Sequence, residues 1–462
     1  MIMRVLILGF VCFFTACKTK EKSCHTSRLD TYKINYEEIN LEKGLSYQIL
    51  FQSGDSIIAP NGKLVPSKEN LDCNVLIPER NAKAKSNSFA SLFISFETKL
   101  YDPNLGAGGG GMLLKMNHYK NTWHIIDLPK CIDYASVGQT INNCGGKMNP
   151  NGIIFSAEEF YTSNKAELFN ILQDSSDYKG KPIIDNFGWV VAIDPKTAKA
   201  TQKMTQFGKF SHEDVLCTPD GKTVFLTNDE GPAALFKFET ITPFDYSTGK
   251  LFAYSETKKW LELPNDYQSL LNIKNIAFKK GATAFTRHEW LTLVGTKLYI
   301  TETGKDLSSY QEALNLGAKL PTYYKNDAVI DDPYGRILVL DILTNELKVE
   351  LEGGEYNGCF FSNPDCITSY TKNGESYLII NEDIIGLDRG RSPKDFYVNE
   401  VFKYNLKTKK LTRVMIAPKG SETTGGIFDS FGNYFVNIQH PETTNNSKFN
   451  KSTLVVIKGL QD

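Results

Sequence analysis

Short runs of β-branched and aromatic residues alternate with glycine-centred turns along most of this chain. Each run is too short for a buried helix, and each ends in carboxylates or amides. The glycine supplies the positive φ that a tight turn requires. Five segments share this order: PNGIIFSAEE (150–159), PDGKTVFLTNDE (219–230), VGTKLYITETG (294–304), KNGESYLIINED (372–383) and SFGNYFVNIQH (430–440). The pattern predicts repeated β-strands joined by tight turns.

A second pattern, a strand that ends in an Asp/Asn-x-x-Thr turn, falls between these segments. It occurs in VVAIDPKTAK (190–199), ILVLDILTNE (337–346) and VFKYNLKTKK (401–410). Hairpins that alternate at this spacing suit four-stranded units with insertions. We therefore predict an all-β fold, a β-propeller of six blades, with the sixth blade in residues 44–130. A pair of β-sandwiches is the alternative.

Three stretches interrupt the repeat. Residues 255–285 and 305–330 lack the strand pattern and are expected to be helical or irregular insertions. The four glycines 108–111 do not match a phosphate-binding fingerprint, because no lysine-serine or helix signature follows them. We interpret this run as a tight approach between backbones that leads into a strand.

Composition excludes a nucleic-acid scaffold and agrees with a large β protein. The chain has 462 residues, a net charge of −1 and 12% aromatic residues. A protein that follows a phosphate backbone needs an excess of basic residues, which this chain lacks. The aromatic content favours strands over helices.

The N-terminus has the features of a bacterial lipoprotein signal. Arg4 precedes an apolar run at 5–14 that is too short to span a bilayer, and the run leads to Phe-Thr-Ala-Cys, which resembles a lipobox. We expect residues 1–17 to be the signal peptide, Cys17 to be lipidated, 18–43 to be a polar leader, and 44–462 to be a single propeller domain. The mature chain would then be a lipid-anchored monomer of the bacterial cell envelope, periplasmic or surface-facing. An ordinary signal peptide is the alternative.

Seven cysteines follow the lipobox, and disulfides are permitted outside the cytoplasm. Cys359 and Cys366 are close enough in sequence to close a small loop, and Cys24 with Cys73 is a conceivable second pair. The odd count leaves at least one thiol over, but connectivity cannot be deduced from sequence.

Carboxylates recur where the predicted strands end. Equivalent strands of a propeller run in the same sense, so their ends meet on one face. Like charges at that density repel one another and raise each other's pKa unless cations lie between them. Calcium takes six to eight such oxygens, so the pattern predicts calcium sites; solvated strand-end acids are the alternative. The acids concerned are Glu158, Glu159, Asp229, Glu230, Glu302, Glu382 and Asp383.

Other residues add different chemistry to this face. Cys144, beside two glycines, could bind a transition metal as a thiolate, although a buried free cysteine is the alternative. Glu213 is a candidate ligand, whereas the neighbouring His212 is more often structural. Arg287 could be held by ion pairs with acids and still offer its planar fork to a phosphate. Gln439 and His440 end the last repeat and would line the same rim.

The order of these motifs resembles PhoX-type alkaline phosphatases. The resemblance runs in register from about residue 140 to 442 and covers most of the mature chain. The motifs are NNCGG (142–146), GWVVAIDP (188–195), FGKFSHED (207–214), PDGKTVFLTNDEGPAALFKF (219–238), ATAFTRHEWL (282–291), NPDCI (363–367), INEDI (380–384) and GNYFVNIQHP (432–441).

This resemblance implies a decorated β-propeller whose funnel holds Fe³⁺ and Ca²⁺ and hydrolyses phosphate monoesters outside the cytoplasm. Cys144 and Glu213 would bind iron, Arg287 would contact the substrate phosphate, and Glu289 would join the metal shell and the catalytic centre. The acids that the resemblance assigns to metal are Glu158, Glu159, Asp229, Glu230, Glu382, Asp383 and, less closely matched, Asp365.

The chain departs from the family pattern at three places. Its Asn143-Cys144-Gly145-Gly146 is one residue shorter than the family's Asn-Cys-Ala-Gly-Gly. His288 replaces a proline in the family's Arg-Pro-Glu, and a lipobox replaces the twin-arginine signal. Because a twin-arginine substrate can fold around its metal before export, the last departure bears on where metal is loaded.

The sequence therefore predicts a metal-dependent phosphohydrolase, a phosphoric monoester hydrolase that attacks phosphate esters with a metal-bound oxygen. The metals would neutralise the phosphate oxygens, and Arg287 would stabilise charge on the phosphoryl group. One alternative is a calcium-binding propeller without turnover, which would have no need of Cys144 and Arg287. Another is a lactonase- or phytase-like propeller hydrolase, which would have no use for Cys144.

Overall fold

Six sheets of four or more strands make up most of the computed structural model. It describes residues 34–79, 88–106, 108–173, 176–324, 328–356, 359–384 and 398–461, and the backbone of 24–25. The signal peptide and Cys17 lie outside the described residues. We number the sheets 1 to 6 around the ring, and the first and second strands of each sheet are the two named first in its description below.

The first three sheets follow one another along the chain. Sheet 1 contains Leu71–Glu79, Ser88–Phe96, Gly111–Tyr119, Thr122–Ile125, Lys130–Cys131, Ser56–Ile58 and Leu64–Pro66. Sheet 2 contains Asn143–Met148, Ile154–Glu158, Val190–Asp194 and Lys199–Lys203. Sheet 3 contains His212–Cys217, Thr223–Asn228, Phe236–Thr242, Asp245–Ser255 and Lys259–Glu262.

The other three sheets complete the fold. Sheet 4 contains Arg287–Val294, Lys297–Thr303, Arg336–Asp341 and Glu346–Glu352. Sheet 5 contains Pro364–Lys372, Glu375–Glu382, Glu400–Asn405 and Leu411–Ile416, with Cys24–His25 and Asn40–Leu41 from the predicted leader paired to its last strand. Sheet 6 contains Glu422–Phe428, Tyr434–Gln439, Thr453–Lys458 and Ser46–Gln52.

The six sheets form a closed ring. The first strand of each sheet packs against the first strand of the next, and Glu422–Phe428 of sheet 6 packs back against Leu71–Glu79 of sheet 1. Ser46–Gln52 pairs antiparallel with Thr453–Lys458, so a strand from the beginning of the chain completes the last sheet. The predicted all-β propeller is confirmed.

Each of the two sequence patterns forms a hairpin between neighbouring strands of the same sheet. The glycine turns join first to second strands, and Gly152, Gly221, Gly295, Gly374 and Gly432 all have positive φ. The Asp/Asn-x-x-Thr turns join third to fourth strands in sheets 2, 4 and 5. There Asp194 Oδ1 accepts from the Lys196 amide at 2.9 Å, and Asn405 Oδ1 accepts from the Lys407 amide at 2.9 Å. A side chain that bonds its own turn explains why this motif recurs.

The predicted insertions contain most of the helices. Tyr267–Leu270 and Ile273–Lys279 lie in the first insertion, Gln311–Leu316 lies in the second, and Lys165–Leu172 lies within sheet 2. Short 3₁₀ helices occur at Ala135–Val137, Ile183–Asn186 and Thr205–Phe207, and two-stranded pairs at Lys305–Ser309 with Val329–Asp332 and Gly354–Tyr356 with Cys359–Phe361. No helix among the described residues is long and apolar enough to cross a membrane.

The hydrophobic core lies between neighbouring sheets. Phe155 of sheet 2 and Phe236 of sheet 3 belong to one buried cluster, which the insertion helix joins through Ala277. Cys73 and Cys366 are free thiols, so neither of the disulfides considered from sequence is present at these positions. The side chains of Cys24 and Cys359 lie outside the description.

Candidate active site

First strands begin, and second strands end, on the face of the propeller opposite the glycine turns. This antiparallel pairing gathers acidic side chains from all six sheets around the ring axis. We call the result the funnel cluster. Its members are Asp72, Glu97, Cys144, Glu159, Glu213, Asp229, Arg287, Glu289, Asp365, Asp383, Glu422 and His440.

Matching β-bulges place five of these residues in the first strands of sheets 1 to 5. In each first strand two residues lie opposite one residue of the second strand, and the first of the two belongs to the funnel cluster. A bulge turns its side chain out of the regular alternation and strengthens the local twist. The residues so placed are Asp72, Cys144, Glu213, Glu289 and Asp365.

Hydrogen bonds hold several of these bulges. The amides of Cys73, Asp214 and Trp290, each the second bulge residue, donate to a hydroxyl of the opposing strand at 2.8, 2.9 and 2.8 Å. The acceptors are Ser95, Thr227 and Thr301. The Ser95 hydroxyl also donates to the Cys144 carbonyl at 3.1 Å, which links sheet 1 to sheet 2.

The residue directly after the second strand supplies five further members of the cluster, and Arg287 and Glu422 are the first residues of the first strands of sheets 4 and 6. Side chains alternate along a strand, so the last strand residue and the one after it point in different directions. The following residue enters the funnel cluster in sheets 1, 2, 3, 5 and 6, whereas sheet 4 has Gly304 there. These residues are Glu97, Glu159, Asp229, Asp383 and His440.

Ligand atoms of the cluster approach one another in four groups of three. Within each group the atoms lie within 4.8 Å of one another. Three of the groups share members, and we call these three the arc. The fourth group consists of residues from sheets 5 and 6. The groups are Asp72/Glu97/Cys144, Cys144/Glu159/Glu213, Glu213/Asp229/Glu289 and Asp383/Glu422/His440.

Cys144 belongs to two of the three groups of this arc. Its side chain is buried, and Sγ donates to Glu213 Oε1 at 2.8 Å. Burial, followed by the charges of Asp72 and Glu213, raises the pKa of the thiol well above its ordinary value. Without a cation this group is therefore a neutral thiol, whereas a bound metal would deprotonate it.

Glycines let the backbones approach around Cys144. A Cβ on Gly145 would overlap the carbonyl oxygen of Glu213, and one on Gly109 would overlap Asn143. The Lys68 ammonium donates to the carbonyls of Gly106 at 3.0 Å and Gly109 at 2.8 Å. The glycine run therefore acts as a close-packed support for the Cys144 strand, as predicted, and its last residue opens Gly111–Tyr119.

Arg287 is fixed by two acids of the cluster. Its Nε and Nη2 donate to Asp229 Oδ1 and Oδ2 at 2.6 and 3.0 Å, and Nη2 lies 3.0 Å from Glu289 Oε1. Burial alone would raise the pKa of Asp229, but the guanidinium outweighs burial and holds it below its ordinary value. The arginine side chain stays 25% exposed, so it binds the two acids and remains accessible to solvent.

The other acids of the funnel cluster are buried close to one another, and without cations their ionised forms are unfavourable. Burial, with Glu97 adding to it, raises the pKa of Asp72 to about 7, and burial raises that of Asp383 to about 7. Burial also raises the pKa well above the ordinary value for Glu159, Glu213, Glu289, Asp365 and Glu422. These acids would ionise fully only beside positive charge.

Two buried carboxylate oxygens of the funnel cluster lack hydrogen-bond partners among the described residues. Asp72 Oδ2 and Asp383 Oδ1 are buried and have no hydrogen-bond partner in the described part of the chain. Buried polar atoms are normally hydrogen-bonded, so each of these oxygens is available to a donor or a cation. Carboxylate oxygens suit calcium, and a thiolate suits a transition metal.

The stability of metal-free protein should fall as pH rises. Folded Asp72 and Asp383 hold their protons more tightly than the unfolded chain, so their contribution is full below about pH 4 and is lost as pH rises through about 7. We expect chelator-treated protein to melt lower at about pH 8 than at about pH 5, and calcium to raise the melting temperature more at the higher pH. Calorimetry at both pH values tests this; a higher melting temperature at pH 8 without metal would contradict it.

The family model "Alkaline phosphatase PhoX" matches residues 120–442, more than half of the chain. The chain belongs to this family. A search of the curated proteins found no match. As a PhoX-family member, the chain is a metal-dependent phosphatase, a phosphoric monoester hydrolase.

One solved structure, a bacterial PhoX, supports the PhoX fold. Pseudomonas fluorescens PhoX in complex with vanadate, a transition state analogue, aligns with a TM-score of 0.68 at 18% identity, covering 95% of this chain and 97% of that one. Trypanosoma rangeli sialidase with the inhibitor DANA gives 0.42 at 10% identity, covering 90% and 60%. Pseudomonas aeruginosa gluconolactonase PpgL gives 0.38 at 11%, covering 89% and 96%. The last two scores carry no functional argument.

Two acids predicted as metal ligands in this PhoX-family chain have other roles. Glu158 is fully buried; its carboxylate binds Lys203 at 2.7 Å and accepts from the Trp189 amide at 3.1 Å. Glu382 accepts from the amides of Ser362 at 2.9 Å and Glu400 at 3.0 Å. Both are last residues of second strands and tie the sheet together, so we leave them out of the candidate ligand set.

Glu302 and Glu230 also pair with cationic side chains. Glu302 ends the second strand of sheet 4 and is buried against Arg336 at 2.7 Å. Glu230 lies one residue beyond Asp229, pairs with Lys274 at 2.5 Å and stays outside the four groups. Six other predicted residues lie in the four groups: Cys144, Glu159, Glu213, Asp229, Glu289 and Asp383. Arg287 binds Asp229 and Glu289, and Asp365 feels the charges of Glu422 and Asp383.

Sequence reasoning missed Asp72, Glu97 and Glu422. Sheet 1 lacks the glycine-turn segment, so no repeated motif marks the ends of its strands. One signal was available: Asp72-Cys73 repeats the Asp365-Cys366 dipeptide, and both pairs occupy the same bulge.

Proposed function

We propose that this PhoX-family protein hydrolyses phosphate monoesters at the funnel cluster with iron and calcium. The observation that supports this most is the fork of Arg287, held by Asp229 and Glu289 beside a buried thiol and a ring of acids. A cation-loaded ring supplies positive charge, and the arginine adds a planar donor for phosphoryl oxygens.

The donor chemistry suggests how the metals divide. Cys144, with Glu213 at 2.8 Å, would hold iron, because a thiolate prefers a softer ion than calcium. The carboxylates of Glu159, Asp229, Glu289 and Asp383, with Asp72, Glu97 and Glu422, would hold calcium. Asp365, which lies close enough to Glu422 and Asp383 to feel their charges, would add a further oxygen. When bound, such ions neutralise phosphate oxygens and lower the pKa of water at the site.

Arg287 would orient the substrate. The contacts within the described part of the chain use Nε and Nη2, which leaves Nη1 to donate to a phosphoryl oxygen. Because two acids fix the guanidinium before substrate arrives, little reorganisation is required when charge develops on the phosphoryl group. Glu289 and Asp229 act here as positioning residues for the arginine.

Hydrolysis of a chromogenic phosphate monoester by the full mature chain tests this function. We expect turnover that a strong chelator abolishes and that calcium with iron restores, because metal-free acids retain their protons. A parallel assay with a lactone and with a phosphodiester sets the reaction class. Metal-replete, folded protein that releases no phosphate from any monoester would contradict the proposal.

We also propose that the protein is a lipid-anchored monomer of the bacterial cell envelope. The lipobox at Cys17 is the support, and that residue lies outside the described part of the chain. Expression in a bacterium with a labelled fatty acid should label the wild-type chain and move it to the membrane fraction. Cys17→Ser should remain unlabelled and appear in the soluble fraction; label retained in that variant would contradict the anchor.

A further inference from the structure

We propose that the protein lies on the membrane by the outer edge of sheet 5, at the face opposite the funnel, and that this edge binds a bilayer with anionic headgroups. The inference rests on the proposed lipid at Cys17, and it adds which surface of the propeller the membrane contacts. We call this surface the lysine edge. Its members are Lys43, Lys403, Lys407, Lys409 and Lys410.

The last strand of sheet 5 runs toward the funnel from the opposite face. The third strand of the sheet begins beside the funnel, where the Glu400 amide donates to the Glu382 carboxylate at 3.0 Å. The last strand, Leu411–Ile416, pairs antiparallel with that third strand. Leu411 therefore lies at the end of the sheet away from the funnel, directly after the turn at 406–410.

The predicted leader enters at this same end. Cys24–His25 pairs parallel with the last strand, and Cys24 lies opposite Leu411. Paired parallel strands run in the same direction, so the chain before Cys24 comes from the face opposite the funnel. Cys17 precedes Cys24 by seven residues, a length that spans at most about 25 Å. A lipid at Cys17 would therefore hold this edge of the propeller close to the bilayer.

Lysines gather where the leader enters. Lys407, Lys409 and Lys410 are exposed in the turn that precedes the last strand. Lys43 is exposed beside a cavity of about 470 Å³, which Lys403 and Lys410 also line. A group of basic side chains next to a lipid anchor is the second signal that stable membrane binding requires.

Three acids offset part of this charge. Lys407 lies 3.1 Å from Glu375, and Lys409 forms an ion pair with Glu350. Glu42 lines the cavity together with the other lysines. The five lysines of the edge outnumber these three acids, so the edge stays positive and complements an anionic bilayer.

The funnel face has the opposite character. It gathers the acids of the funnel cluster, which anionic headgroups would repel. A funnel pressed against a bilayer would also be closed to soluble phosphate esters. Binding through the lysine edge avoids both problems, because the funnel then opens away from the membrane.

Sedimentation with vesicles tests the lysine edge on the full mature chain with Cys17→Ser, which carries no lipid. We expect this chain to bind vesicles that contain phosphatidylglycerol, to dissociate as salt screens the charges, and not to bind vesicles of phosphatidylcholine alone. Lys407→Gln combined with Lys410→Gln should weaken binding to the anionic vesicles about 25-fold, at about fivefold for each lysine. Unchanged hydrolysis of a soluble phosphate monoester would show that this variant is folded.

The matched control is the equivalent turn of sheet 2. Lys196 and Lys199 are exposed and occupy the same two places of the Asp/Asn-x-x-Thr motif, on the same face but three sheets away around the ring. Lys196→Gln combined with Lys199→Gln should bind the anionic vesicles as tightly as the unsubstituted chain. Equal losses in the two double variants, or equal binding to neutral and anionic vesicles, would overturn the proposal.

Hydrogen exchange on the lipidated wild-type chain tests the orientation. In vesicles that contain phosphatidylglycerol, compared with detergent, we expect slower exchange in residues 406–412 and unchanged exchange in the segments that carry the funnel cluster. Slower exchange at the funnel, or no change in 406–412, would overturn the proposal. If Cys17 carries no lipid, the anchor fails while the sedimentation result stands, so the two claims fail separately.

Discussion

Replacing Arg287 with lysine lowers kcat/KM for a phosphate monoester by about 100- to 1000-fold, the cost of removing one preorganised donor from a charged transition state. Lysine keeps the charge but loses the fork that binds Asp229 through two nitrogens. The ammonium would be drawn toward Asp229 and Glu289, leaving no second donor for the phosphoryl group. Steady-state kinetics should show the loss mainly in kcat.

The matched control is Arg413→Lys. Arg413 is also buried and paired with a carboxylate, Glu400, at 2.9 Å, but it lies on the last strand of sheet 5, outside the funnel cluster. We expect that variant to lose stability without a comparable loss of kcat. Equal kinetic effects in the two variants would mean that Arg287 contributes only to folding.

Replacing Cys144 with alanine removes iron from the purified protein and lowers monoester hydrolysis by at least about 100-fold. Loss of a residue that only supports a metal ligand already lowers metal affinity or activity by up to about 100-fold, and loss of a direct ligand should cost no less. Calcium content should change little, because the oxygen ligands of the arc remain. The physical reason is that alanine leaves Glu213 and Glu159 without a soft donor. Elemental analysis of protein purified without chelators measures both metals.

Cys217→Ala serves as the control for that experiment. Cys217 is a half-buried free thiol whose Sγ lies 2.9 Å from the Tyr246 hydroxyl, far along its strand from the funnel end. It should keep full iron and activity. If Cys144→Ala retained iron, or if both variants lost it equally, the thiolate would not be the iron ligand.

Sequence periodicity was enough to predict the propeller because the turns carry their own signal. Gly152 and its counterparts need positive φ, and Asp194-type turns bond their own backbone, so each hairpin is specified locally. The closure of sheet 6 by Ser46–Gln52 was not foreseen. It depends on pairing between the two ends of the chain, which leaves no local pattern.

The candidate site could be predicted only to within one residue at several strand ends. Glu158 and Glu159 are adjacent acids, and sequence gives no reason to assign them different roles. The structure separates them because Glu158 is the last residue of its strand and meets Lys203, whereas Glu159 follows the strand and enters the funnel. Glu382 and Asp383 differ in the same way: Glu382 is the last residue of its strand, and Asp383 follows the strand.

Bulges explain the rest of what sequence could not show. Asp72 and Glu213 reach the axis because an extra residue breaks the strand alternation in their sheets. Such a bulge depends on pairing with the opposing strand, where Ser95 and Thr227 hold it. The alternation of apolar and polar residues along a strand does not reveal a β-bulge. The order of the sequence motifs therefore predicted the role of Glu213 better than its position in the alternation did.

The central claim is that a mixed-metal phosphatase centre occupies the funnel cluster, and anomalous diffraction from crystals of the chelator-free protein tests it most directly. Data collected on both sides of the iron absorption edge, with inorganic phosphate added, locate iron, calcium and the anion in one experiment. The account predicts iron beside Cys144 and Glu213, calcium among the remaining carboxylates, and phosphate on Arg287. A funnel that holds calcium at Cys144, or no metal at all in active protein, would contradict it.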